Sequence, residues 1–81
     1  MRVGNILRIE IELKGNKKSI LGIVTTININ NYIVFDKDRI FYKISSGKIS
    51  NIYSKYKKNL PDLINVSVTT DIVSEDDDDN L

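Results

Sequence analysis

Residues 6–27 read ILRIEIELKGNKKSILGIVTTI, and the alternation within them decides the fold. Side chains on a strand point to opposite faces in turn, so Leu7, Ile9, Ile11 and Leu13 share one face of a first strand at about 6–14. Arg8, Glu10, Glu12 and Lys14 share the other face, whose mixed sign makes it a solvated surface rather than a basic stripe. Gly15-Asn16 follows; both residue types tolerate positive φ, which suits a hairpin turn. A second strand at about 18–28 is apolar on both faces, with Leu21, Ile23 and Ile27 on one and Ile20 and Val24 on the other. Apolar character on both sides marks a central, strongly bent strand, and Gly22 within it marks a bulge or kink.

Outward from this stretch the pattern stays β. Asn28-Ile29-Asn30-Asn31 reads as a turn, and further strands are expected at about 32–36, 39–45 and 49–53. Asp36-Lys37-Asp38 and Ser45-Ser46-Gly47-Lys48 supply the turns between them. A basic connector, Ser54-Lys55-Tyr56-Lys57-Lys58-Asn59-Leu60-Pro61-Asp62, carries the one proline. A sixth strand at about 63–73 would place Ile64, Val66, Val68, Thr70 and Ile72 on one face. Residues 74–81, SEDDDDNL, cannot bury apolar surface and repel one another, so this stretch is expected to be disordered. No helical period and no internal repeat is visible. The fold expected is all-β: a small, strongly bent antiparallel barrel of five to six strands, SH3-like or Sm-like, over 1–73, with a disordered acidic C-terminal tail over 74–81. Closing the sheet removes most of the unpaired edges that so small a chain must manage.

Composition narrows the function classes. At 81 residues the chain is one small domain, able to bury roughly 60–65% of its unfolded surface. There is no cysteine to form a disulfide, and therefore no reading of redox compartment. Charges at Arg8, Glu10 and Glu12 leave no apolar core for a signal peptide. No apolar run approaches the roughly 18 residues of a membrane span, so an intracellular, cytoplasmic protein with no membrane partner is expected. The net charge of +1 hides a division: residues 1–60 hold twelve basic and four acidic side chains, residues 61–81 none and seven. A basic body with an acidic tail points to an electrostatic partner. The chain also has 14 Ile, 9 Lys and 9 Asn but no Ala, Gln, His or Trp, a bias typical of AT-rich coding sequence. Lysine accumulates there for reasons unrelated to binding, which lowers the weight of the lysine count.

One resemblance emerges from these residues. Ile9-x-Ile11-x-Leu13-Lys14, a glycine-containing turn, Gly22, and then Asn31-Tyr32-Ile33-Val34-Phe35-Asp36 resembles the first conserved segment of the Sm-like proteins. These are small RNA-binding barrels that include the LSm and Hfq groups. Ile44, Ile49 and Ile52 have the apolar spacing of the family's second segment, so the resemblance covers residues 9–52. It implies the barrel, and it assigns the family's RNA-contacting asparagine to Asn31. The family's pocket aspartate falls at Ile27, and its Arg-Gly is replaced by Ser46-Gly47 with the glycine one position out of register. The resemblance therefore implies the fold without the uridine pocket. Sm rings assemble by pairing strand edges between subunits. A sixth strand would occupy that edge, or pair with a neighbour in a swapped dimer, so a monomer or dimer is expected rather than a ring of six or seven.

Catalysis is not expected. Without His or Cys there is no near-neutral base of the usual kind and no thiol nucleophile, and paired carboxylates occur only at Asp36 and Asp38 and in the tail. Glu75, Asp76, Asp77, Asp78 and Asp79 lack the alternating ligands and glycine turn of a calcium loop, so no metal and no cofactor is expected. That run reads first as a solubilising tail, and second as a polyanion mimic competing with an anionic ligand for the basic body. The best nucleic-acid candidates are Lys55, Tyr56, Lys57 and Lys58, where lysines would hold phosphates and Tyr53 or Tyr56 would offer a stacking face. Lys14, Lys17 and Lys18 form a second basic cluster, and Lys43 and Lys48 a third. Tyr32, Phe35, Phe41 and Tyr42 read as core and strand-pair residues. The expected function is a non-catalytic module that binds RNA or DNA electrostatically with low sequence specificity, its acidic tail autoinhibitory. The alternative is a protein-interaction or structural accessory module, of the kind found in viruses and mobile elements. It would use strand-edge pairing and the acidic tail.

Overall fold

A computed structural model of the chain describes residues 1–55 and 61–73. The opening alternation forms β1 (Ile6–Leu13), antiparallel to β2 (Asn16–Ile27). The loop between them is Lys14-Gly15 rather than Gly15-Asn16: both loop residues have positive φ, 53° and 82°, and Asn16 already pairs with Leu13. A two-residue loop with both φ positive twists in the same sense as the strands it joins, which selects that register. β3 (Tyr32–Asp36), β4 (Ile40–Ser45) and β5 (Lys48–Ser54) follow, each antiparallel to the strand before it. Ser46-Gly47, with φ of 50° and 72°, closes the β4–β5 hairpin by the same geometry.

The segment expected as one sixth strand divides in two. Pro61–Leu63 is a single 3-10 turn, and the Val66 N–H bonds back to the Leu63 carbonyl at 3.2 Å across Asn65, whose φ is 70°. A left-handed residue cannot continue a pleat, so β6 begins only at Val68 and runs Val68–Ile72 along β1. The detour turns Leu63 into the core, where it is 4% exposed, and packs Ile64 and Val66 against it.

The strand order is β5-β4-β3-β2-β1-β6, a single antiparallel sheet curled into a half-barrel. Its two edge strands approach at one place. Asn65 donates to the Ile49 carbonyl (2.7 Å), Ile49 to Val66 (3.0 Å) and Val68 to Gly47 (2.9 Å), beside a single bridge between Lys48 and Ser67. The concave face holds the core: Leu7, Ile9, Ile11, Ile20, Val24, Val34, Ile40, Tyr42, Ile44 and Ile49 with Leu63.

β2 lies between β1 and β3 as a central strand, but only one of its apolar faces is buried. Ile20, Gly22 and Val24 face inward, whereas Leu21, Ile23 and Ile27 are 53%, 40% and 44% exposed. The register shifts between Val24 and Thr26, and at Gly22 β3 comes so close that a Cβ would lie 2.5 Å from Val34 Cγ1 and 2.9 Å from the Phe35 carbonyl oxygen. Among the described residues no helix is long and apolar enough to cross a membrane.

Candidate nucleic-acid interface

Register determines what the convex face presents. Ile6 pairs with Ile23, Ile23 with Phe35, Phe35 with Phe41, and Phe41 with Tyr53. Directly opposed residues share a face, so these five side chains form one row across β1 to β5, all pointing away from the core. Ile6, Ile23, Phe41 and Tyr53 are 37% to 45% exposed, and Phe35 is half-buried between its neighbours. The Phe35 and Phe41 rings are 4.4 Å apart at a tilt of 36°, a pairing that adds about 0.5–1.5 kcal/mol beyond burial.

The row has two characters. Its β1–β2 half is aliphatic and adjoins mixed charge: Arg8 lies 3.6 Å from Asp71 on β6, with Glu10 and Glu12 further along β1. That exposed ion pair contributes little to stability. Its β3–β5 half is aromatic, and Phe35, Arg39, Phe41, Tyr53, Ser54 and Lys55 line a surface pocket of about 320 Å³ there. Antiparallel pairing places Arg39 and Lys55 on one side of the Phe41–Tyr53 pair, with the Lys43–Asn51 pair on the other. Asn51 Nδ2 donates to the Tyr53 hydroxyl at 3.2 Å, tying that ring to the next pair along. Neither Lys43 nor Lys55 is paired with a carboxylate among the described residues.

The lysines picked out in the sequence separate accordingly. Lys43 and Lys48 lie on the β4–β5 hairpin, where Lys48 pairs with Ser45, whereas Lys55 lines the aromatic pocket at the other end of β5. Lys14, Lys17 and Lys18 belong to the β1–β2 hairpin, on the other side of β3 in the strand order. Lys17 pairs with Glu12, so its charge is locally opposed. Asn31 sits in the β2–β3 turn, where its side-chain oxygen accepts from Asn28 Nδ2 at 2.8 Å. Tyr56, Lys57 and Lys58 and the tail residues Glu75, Asp76, Asp77, Asp78 and Asp79 lie outside the described residues.

Three aromatic members of the pocket were legible only in part. Phe35 and Phe41 do form the strand pair expected of them, but on the convex face instead of in the core. The signal was in the row IFYKIS: Phe41 and Lys43 are two residues apart and must share a face, and the lysine marks that face as solvated. Tyr42, on the opposite face, is buried as expected.

A second cleft, about 340 Å³, is lined by Lys18, Lys37, Asp36, Asp38, Ile40 and Tyr42 among others. Asp36 is the one buried charged residue among the described residues, and its oxygens are engaged. Oδ1 accepts from the Asp38 and Ile40 N–H groups at 2.9 and 3.0 Å, and Oδ2 from the Tyr42 hydroxyl at 3.1 Å. Burial first, then the Asp36 charge and this hydrogen bond, push the Tyr42 phenol well above its ordinary range. This arrangement ties down the β3–β4 turn and leaves Asp36 no idle oxygen for a ligand.

No family model matches the chain. Searches of curated proteins and of solved structures likewise returned no match.

Proposed function

We propose that this protein is a non-catalytic nucleic-acid-binding module that engages RNA or DNA on the convex face of β3, β4 and β5, electrostatically and with low sequence specificity. One observation carries the reading: β4 and β5 hold Lys43 and Lys48 and no acidic residue, with Arg39 and Lys55 at their flanks, whereas β1 and β6, at the other end of the strand order, mix Arg8 with Glu10, Glu12 and Asp71. Lysines act on phosphates as point charges, so such a face positions a backbone without reading bases. The acidic run at 75–79 acts against binding by competing for the same cations, which lowers non-specific affinity. The Sm-like resemblance fits the barrel, although this face is not the family's pocket.

The test is electrophoretic mobility shift with RNA and DNA at two salt concentrations, on the full chain and on a chain ending at residue 73. Affinity is expected to fall with salt at a slope of about −3 for single strands, the value for four phosphate contacts. It is expected to rise on deletion of 74–81 and to fall for Lys43→Glu with Lys48→Glu. No shift from either chain at low salt would favour a second reading, a protein-interaction module. The observation behind that alternative is the aliphatic half of the row, Ile6 and Ile23 with Leu21 beside them, near the incompletely paired edge of β6.

A further inference from the structure

Building on that reading, we infer that the pocket formed by Phe35, Phe41 and Tyr53 is a stacking platform for unpaired nucleobases, which makes single strands the substrate class. Lysines alone would accept any polyanion, duplex included. What sets this patch apart is that three aromatic side chains are held in register across adjacent strands, about 4.8 Å apart, on the solvent side of a rigid sheet. An exposed aromatic row has no structural need to sit beside cations, yet Arg39 and Lys55 flank it on one side and Lys43 on the other. A base lying on Phe41 or Tyr53 would have its two neighbouring phosphates directed to those flanks.

Geometry further restricts how the base binds. Entry between two rings requires about 7 Å, twice the contact distance of carbon atoms, and the Phe35–Phe41 centroids are 4.4 Å apart. The base therefore lies on the outward faces and is not clamped, with Phe35 backing Phe41 from the β3 side. Tyr53 is oriented by the Asn51 amide. Every base has a π-face, so a platform of this kind is tolerant of sequence. A duplex hides those faces in its own stack and can offer only phosphates.

The experiment is fluorescence anisotropy of the full chain, at one low salt concentration, with four labelled probes. These are an oligothymidylate and an oligouridylate of about a dozen residues, an abasic strand of the same length, and a duplex of the same length. Either single strand is expected to bind at least about fivefold more tightly than the abasic strand, the low end of one base–aromatic stack. Phe41→Leu and Tyr53→Leu keep apolar volume but remove the π-face. Each is expected to lose about fivefold or more on the single strands and nothing on the abasic strand, whereas Tyr53→Phe keeps wild-type affinity. The wild-type comparison of oligothymidylate with the abasic strand tests the inference even for a variant that does not fold. Equal affinity for all four probes would overturn stacking while leaving electrostatic binding intact. Absence of binding to every probe would overturn both.

Discussion

Asp36 shows how one residue can be conspicuous in a sequence for the wrong reason. Beside Asp38 it looks like half of a carboxylate pair, but its side chain turns into the barrel mouth and is consumed by two backbone N–H groups and the Tyr42 hydroxyl. Replacing Tyr42 with Phe leaves Oδ2 without its donor, and the expected cost is about 1–3 kcal/mol of unfolding free energy at neutral pH, measured by urea titration. The same pair governs alkaline behaviour. The folded phenol is raised above the unfolded value of 10.0, so its contribution is whole below that pH. Stability is then lost as pH climbs above it, because the unfolded chain releases the proton first. The wild type should therefore lose stability above pH 10 more steeply than Tyr42→Phe. Parallel decline of the two proteins would show that the phenol is not the group responsible.

At the scale of elements, β2 and β3 are held together by what Gly22 lacks. The strand bends across β3 at a point where any Cβ would meet Val34 Cγ1 and the Phe35 carbonyl oxygen, the latter being backbone that cannot turn aside. Gly22→Ala is expected to force the strands apart at a cost of about 1–3 kcal/mol. That corresponds to a fall in Tm of roughly 4 °C or more for a domain of this size, read by differential scanning calorimetry. An unchanged Tm would mean that β3 yields more easily than its position implies. Phe35 is the next residue along from Val34, so the same substitution should also disturb the aromatic platform.

At the scale of the whole molecule, the two free edges of the sheet decide its association. β6 covers the outer side of β1, and the bonds between residues 47–49 and 65–68 draw β5 toward β6 at one end. The edge open to another chain is thereby shortened to residues 50–54 of β5 and 69–72 of β6, and long unpaired edges are what recruit another chain. Light scattering is expected to return the 9.3 kDa mass of a single chain or twice that value. A six- or sevenfold mass would overturn this account of the edges.

Much of this was written into local pattern. Strict alternation in Leu7-Arg8-Ile9-Glu10-Ile11-Glu12-Leu13 marks both the strand and its buried face, since a period of two is a property of the backbone alone. Ser46-Gly47 announced a hairpin for the same local reason. Other features depended on distant partners. Two-sided apolar β2 did not declare which side was core, and that depended on the curl of the sheet against Val34 and Tyr42. Residues 64–67 have strand-like spacing, yet the chain turns at Ile64-Asn65, where Asn65 and Val66 bond to Ile49. Phe35, Phe41 and Tyr53 are scattered along the chain, and they become a row only when the registers β3–β4 and β4–β5 align them. Alternation is set by neighbouring peptide units, whereas register is set by which apolar set must be buried; hence the strands could be read in one dimension and the convex aromatic row could not.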